Sequence, residues 1–252
     1  MRSLAFALLF ALALACQAPR TAPDAPPAAH APDAAQAAHA PAAPGGAAHA
    51  NRDPHGPPEV ERYIATLLAP ERIERFQVPL VLERLDPAPD ALIGDLGCGP
   101  GIFSLAFAER CPAGLVYASD IEPAQLDALS ARAKSAGVRN VVPVLASLDD
   151  PHFPPGRLDL VFIADTYHHL ENRVEYMRRL ARCLAPGGRL VVIDYKPGPQ
   201  PHGPPPDHRL AAGVMQRELE QAGYVEVQSF DTHPEQDFQV WRPATPWEKQ
   251  QK

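Results

Sequence analysis

The chain has 252 residues, 46% hydrophobic and 21% charged, with a formal net charge of −7. That balance is ordinary for a globular protein, and the negative charge without a concentrated basic stripe argues against wrapping nucleic acid through phosphate neutralisation. The 31 prolines are not ordinary, and about ten of them fall between Ala18 and Pro58, which excludes a packed core over that stretch.

In chain order, Arg2 supplies a positive start, and Leu4 to Leu14 form an apolar run too short to span a bilayer. The run ends in Leu12-Ala13-Leu14-Ala15-Cys16. This resembles a bacterial lipoprotein signal, although Ala13 stands where Leu is usual. The resemblance implies an export signal at 1–16, lipidation at Cys16, a place in the bacterial cell envelope, and membrane association only through that anchor. Residues 17–58 are mostly Ala, Pro, His and Asp and read as a disordered linker. His30, His39, His49 and His55 are irregularly spaced, so a solvated tether is preferred to a metal site. The expected folded domain is 59–245.

A helical pair is predicted first, with Val60, Tyr63, Ile64 and Leu67 on one helix and Ile73, Phe76, Leu80 and Val81 on the other, separated at Pro70. Strands and helices then alternate. Strands are predicted at 91–96, 115–119, 141–145, 158–164 and 190–193; helices follow through 103–109, from Pro123 to Gly137, and through Val174 to Leu184, stopped by Pro186-Gly187-Gly188. A helix from Asp207, as N-cap, to Ala222 precedes two strands near 225–230 and 238–241, too close for a helical crossover and therefore a hairpin. Five βα units and a terminal hairpin predict an α/β fold, a doubly wound and mostly parallel sheet with one reversed edge strand. Cys98, Cys111 and Cys183 are odd in number, lack metal-ligand spacing and sit in apolar patterns, so buried thiols are expected.

The decisive segment is Asp95-Leu96-Gly97-Cys98-Gly99-Pro100-Gly101, between the first strand and its helix. A dinucleotide loop would read G-x-G-x-x-G, but Ile102 holds the third glycine's place. A carboxylate at Asp95 would also oppose a pyrophosphate, whereas it suits a ligand carrying an ammonium group. Asp120 ends the second strand about 25 residues on, near the interval at which an acid accepts hydrogen bonds from ribose hydroxyls.

Asp95 to Gly101, Asp120, Asp165-Thr166-Tyr167-His168-His169 and Leu184-Ala185-Pro186-Gly187-Gly188 together resemble class I S-adenosylmethionine-dependent methyltransferases. The resemblance implies a Rossmann-like, seven-stranded sheet with an antiparallel last strand and S-adenosyl-L-methionine as cofactor. It further implies that Asp95, Gly97, Cys98, Gly99 and Gly101 hold the methionine part and Asp120, with Ile121, the ribose side. Ser147, Leu148 and Asp149 would flank the adenine, although many relatives carry an acid where Ser147 stands. The chain also resembles a subgroup of predicted methyltransferases sharing Asp149-Asp150-Pro151, Asp165-x-Tyr167-His168-His169, and Gly203-Pro204-Pro205 before His208-Arg209.

Methyl transfer requires alignment of donor and acceptor, removal of a proton from the acceptor, and exclusion of water. Asp165, Tyr167, His168 and His169 follow the fourth strand and are the catalytic candidates, with a histidine as natural base and Asp165 also near the cofactor. Asp194, Tyr195 and Lys196 follow the fifth strand, and His208 and Arg209 the next turn. Tyr195, Lys196, His208 and Arg209 are the candidates for binding a small-molecule methyl acceptor. A metal held by Asp165, His169 and Asp194 is a variant that no spacing requires, so no metal is expected. A non-catalytic, envelope-anchored binding module that retains the fold is the competing function.

Overall fold

The computed structural model describes residues 57–249; the leader at 1–16, the lipidation site at Cys16 and nearly all of the linker at 17–58 lie outside the described residues. Three short helices come first, α1 (Pro57–Leu67), α2 (Pro70–Arg75) and α3 (Val78–Leu85). The predicted second helix is thus two. Gln77 adopts φ 47 between them, and Pro79 lies in the first turn of α3, where its missing N–H is not needed.

The sheet is built from β1 (Leu92–Leu96), β2 (Leu115–Asp120), β3 (Val141–Leu145), β4 (Leu158–Ala164), β5 (Leu184–Tyr195), β6 (Tyr224–Phe230) and β7 (Gln236–Pro243). Their order is β3-β2-β1-β4-β5-β7-β6, with β7 antiparallel to both neighbours and the other pairs parallel. The reversed strand is therefore inside the sheet, and β6 is the edge. Helices α4 (Ile102–Arg110), α5 (Pro123–Ala136), α6 (Arg173–Ala181) and α7 (Val214–Gln221) follow β1, β2, β4 and β5, and α8 (Pro246–Lys249) closes the described segment. No helix joins β3 to β4, so four βα units stand where five were expected.

Period-two alternation along the central strands explains the two packed layers. Val161 and Ile163 of β4, with Leu190 and Val192 of β5, face a layer made by Met177 and Leu180 of α6 and Met215 and Leu219 of α7. Leu160, Phe162, Val191 and Ile193 face Val81 and Leu85 of α3 and Phe103 and Phe107 of α4. Phe162 lies 4.5 Å from Phe103 and 5.1 Å from Phe107 between ring centroids, the second pair edge-on. Both faces of the central strands β1, β4 and β5 are dry, as their apolar runs require, whereas β3 and β6 at the edges are largely exposed. Among the described residues no helix is long and apolar enough to cross a membrane.

Two further boundaries differ from expectation. The helix predicted from Asp207 begins at Val214, because Gly213 (φ 71) interrupts the backbone, and Asp207 sits in a separate 3₁₀ turn, Pro206–His208. Strand β5 reaches back to Leu184, so the Pro186-Gly187-Gly188 segment is an interruption between two stretches paired with β4 and not a helix end. Helix α6 has already stopped at Ala181.

Candidate functional site

The chain leaves β1 outward to β2 and β3, then returns on the other side of β1 as β4. Diverging connections at such a point open a crevice above the carboxyl ends of the two central strands. The glycine loop after β1 and the Asp165–His169 segment after β4 both lie there.

Hydrogen bonds fix the shape of the loop. Gly97 and Cys98 N–H groups donate to the Ser119 carbonyl at 2.8 and 3.0 Å. Asp120 accepts from Gly99 N–H at 2.8 Å through Oδ2 and from Glu122 N–H at 3.0 Å through Oδ1. Asp120 thus braces the loop while each oxygen keeps a second lone pair. Burial raises its pKa. Gly101 has φ 81, and a Cβ there would collide with Leu129. A Cβ on Gly99 would meet nothing closer than Leu67 Cδ1 at 3.6 Å and Gln125 Oε1 at 3.9 Å. The loop is therefore packed tightly at Gly101 and open at Gly99.

Asp95 is 3% exposed and accepts from Ser104 Oγ at 2.5 Å. Burial pushes its carboxyl up to about 7, outweighing that hydrogen bond. Cys98 is a buried thiol, pushed up by the same cause and thus poorly nucleophilic. Ile121 and Leu148, beyond β2 and β3, are exposed apolar side chains. Ser147 Oγ donates to Asp149 Oδ1 at 2.9 Å, and Asp149 Oδ2 accepts from Arg179 at 3.0 Å. Asp149 is thereby committed to a neighbouring helix, which corrects the expectation that its side chain flanks a ligand.

Across the crevice, His168 and Asp194 form a pair whose side chains are each 4% exposed. His168 Nδ1 lies 2.7 Å from Asp194 Oδ1, while the His168 backbone N–H donates to Oδ2 at 2.9 Å. A carboxylate at Nδ1 fixes the tautomer with its proton on that nitrogen and leaves Nε2 as a base. The His169 ring is 4.0 Å from that of His168 between centroids. Burial, then the neighbouring His168, lowers the pKa of His169 and favours its neutral form. Asp165, at φ 50, accepts from Arg72 Nη2 at 3.1 Å and from Gln236 Nε2. Its carboxyl is raised to about 6 because burial outweighs the attraction of Arg72.

Three other candidates serve the scaffold. Tyr167 is wholly buried and its hydroxyl donates to Glu218 at 3.0 Å, so a catalytic role is withdrawn. Arg209 donates to the carbonyls of Pro204, Gly198 and His202 and lies over the Tyr195 ring, stapling the segment after β5. Lys196 donates to the carbonyls of His233 and Pro234. His208 is exposed and close enough to depress His169 further, while Tyr195 lines a cavity with Asp165. Among the described residues no three of His, Cys, Asp or Glu gather as a metal-binding group. Asp165 and Asp194 are already engaged by Arg72, Gln236 and His168.

The sequence did not single out Arg72, Gln236 or Gln125, and it marked Leu67 only as part of a helical pattern. Arg72 lies in a helix with charges on every side, and Gln236 at a strand start, so neither stands out by pattern. Gln125 is 3% exposed, and its Oε1 has no hydrogen-bond partner beside the glycine loop.

These features define a class: a doubly wound α/β domain with a nucleoside-type crevice ringed by acids. Residues 93–188 match the family described as Methyltransferase domain. The chain is 34% identical over 129 residues to demethylmenaquinone methyltransferase of Thermus thermophilus, covering 51% of this chain and 56% of that protein. It is 37% identical over 112 residues to trans-aconitate 2-methyltransferase of Methylobacterium nodulans, covering 44% and 41%. It therefore spans about half the length of these curated relatives. A SAM-dependent methyltransferase structure from Aquifex aeolicus superposes with a TM-score of 0.68 at 23% identity, covering 71% of this chain and 96% of that one, which shows the shared fold. Residues 93–188 therefore resemble a methyltransferase domain on a class I fold, and the resemblance implies S-adenosylmethionine as cofactor.

The residues present fit that molecule. Among the described residues Asp95 has no cationic partner, Gln125 Oε1 is a buried acceptor without a donor, and Ile121 and Leu148 offer apolar surface for a flat base. Asp120 retains lone pairs for hydroxyls. Gly99→Asn, a residue that tolerates the φ of 53 there, is expected to leave the thermal midpoint within a few degrees of wild type but to weaken cofactor binding by about tenfold or more, read by calorimetry. Gly101→Ala is expected instead to destabilise the fold by roughly 1–3 kcal/mol, read by denaturant titration.

Proposed function

We propose that this protein transfers a methyl group from S-adenosylmethionine to a small-molecule acceptor, with His168 as general base positioned by Asp194. The observation that carries this reading is the buried His168–Asp194 pair at 2.7 Å, at the carboxyl ends of β4 and β5 beside the strand-order reversal. When bound, the cofactor supplies an electrophilic methyl: an acceptor lone pair forms the new bond to carbon as the carbon–sulfur bond breaks and its electron pair neutralises the sulfonium.

The chain's own part is positional and acid–base. Asp95, Gln125 and Asp120 anchor the cofactor, with Gly97 and Gly101 shaping the loop and Gly99 leaving it room. His168 Nε2 takes the acceptor's proton, and Asp194 stabilises the imidazolium that results. Asp165, held by Arg72 and Gln236, borders the acceptor side. The names of the two relatives, one acting on demethylmenaquinone and one on trans-aconitate, support a small-molecule acceptor. A non-catalytic module is disfavoured because a buried, oriented histidine–carboxylate pair has no structural need to sit at the crevice.

Calorimetry with S-adenosylmethionine and its demethylated product, followed by a screen of thiols, phenols and amines with labelled cofactor, tests the reading. Cofactor binding and label transfer are expected. A well-folded protein that binds neither molecule rules the proposal out. We also propose export of the chain and lipidation at Cys16, on the resemblance of 1–16 to a lipoprotein signal. Mass spectrometry of the mature N-terminus decides that point.

A further inference from the structure

Asp165 also lines a cavity of about 320 Å³ formed by the end of β5, the start of β7, Arg72 and Arg75 of α2, and Phe76 just after that helix. This is the low end of the range for small-molecule sites. Its polar groups are unevenly satisfied. Arg72 binds Asp165 through Nη2 and lies 4.9 Å over the Phe76 ring, but its Nε is buried without a partner. Arg75 makes no hydrogen bond or ion pair with any described residue. Glu235 is paired through Oε1 with His202 at 2.9 Å, while its Oε2 is buried and unpartnered.

We infer that this cavity takes the methyl acceptor and that the acceptor is a small monocarboxylate bearing a hydroxyl or similar donor. The inference rests on the methyltransferase reading above and names its substrate class. A buried N–H without an acceptor costs free energy that a ligand oxygen recovers. A planar carboxylate matches the fork geometry of guanidinium groups, so Arg72 Nε and Arg75 form its seat. Glu235 Oε2 needs a donor, which a ligand hydroxyl provides. A phosphate dianion is disfavoured because Asp165, Glu74 and Glu235 line the same cavity, and an ammonium head would meet two guanidiniums.

The experiment titrates protein saturated with the demethylated cofactor product against matched probes: para-hydroxybenzoate, para-hydroxybenzamide, para-hydroxyphenyl phosphate and the corresponding aminomethyl phenol, with lactate as an aliphatic hydroxy acid. At least one carboxylate is expected to bind about tenfold or more tighter than the amide, phosphate and amine. Arg75→Gln is expected to abolish that preference and Arg75→Lys to restore part of it, with cofactor-product affinity unchanged in both. Equal binding of acid and amide, tighter binding of the phosphate or amine, no binding of either acid, or an unaltered preference in Arg75→Gln overturns the inference. Failure to bind the cofactor product at the first step overturns the methyltransferase reading instead, so the two failures are distinguishable.

Discussion

Asp194→Asn is expected to lower kcat for methyl transfer by roughly 10²-fold or more while cofactor affinity stays within about threefold. The expectation follows from the two contacts that Asp194 makes to one residue, at Nδ1 and at the backbone N–H of His168. An amide of the same shape can keep one of them. It cannot stabilise the imidazolium, and through its NH₂ it can favour the wrong tautomer. His168→Ala should lose a comparable factor, and the double variant little more than either single one, because the two residues act as a unit. Burst-phase or single-turnover measurement with labelled cofactor separates the chemical step from product release. If Asp194→Asn retains a third or more of the wild-type rate with unchanged circular dichroism, the pair is structural and the base lies elsewhere.

Most of the fold was legible because the central strands are apolar on both faces and glycines mark the turns. Leu158 to Ala164 admits no other reading than a buried strand, and Asp95 to Gly101 announces its own place. What escaped was decided by tertiary contact. The short turn at Asp207 is the exception, set by nearby residues whose effect the pattern does not announce: Gly213 breaks the helix and Arg209 gathers three carbonyls. Nor does β7's position inside the sheet follow from its sequence, since a hairpin can add to an edge in either order.

The site divides the same way. The glycine-loop half of the candidate site was legible as a motif, because Gly99 and Asp120 meet through backbone geometry that a short sequence encodes. On the acceptor side, residue types were legible but their partners were not. Tyr167 and His168 are adjacent in sequence, yet one is bound to Glu218 in the core and the other to Asp194 in the crevice. Arg72 and Gln236 meet at Asp165 from distant parts of the chain, and only the folded sheet brings them together.

Asp95→Asn should separate stability from binding. In the ligand-free protein burial raises the Asp95 carboxyl to about 7 from a usual 3.8. Between those values the folded state holds a proton that the unfolded state has released, so stability falls as pH rises through that window and is flat above it. The Asn variant has no such loss. At pH 8 it should be more stable than wild type by up to about 4 kcal/mol, with the difference vanishing below about pH 4. Cofactor binding runs the other way. The ammonium of the methionine part favours ionised Asp95, so wild-type affinity should climb with pH up to about 7 and then level, whereas the Asn variant should bind about tenfold more weakly at pH 8 and show no climb. Denaturant titration of the ligand-free proteins and calorimetry with the cofactor product, both from pH 5 to 8.5, read the two effects independently. A wild-type affinity that does not change with pH would mean that Asp95 stays neutral in the complex, and the electrostatic reason for preferring an ammonium-bearing ligand at this loop would be lost.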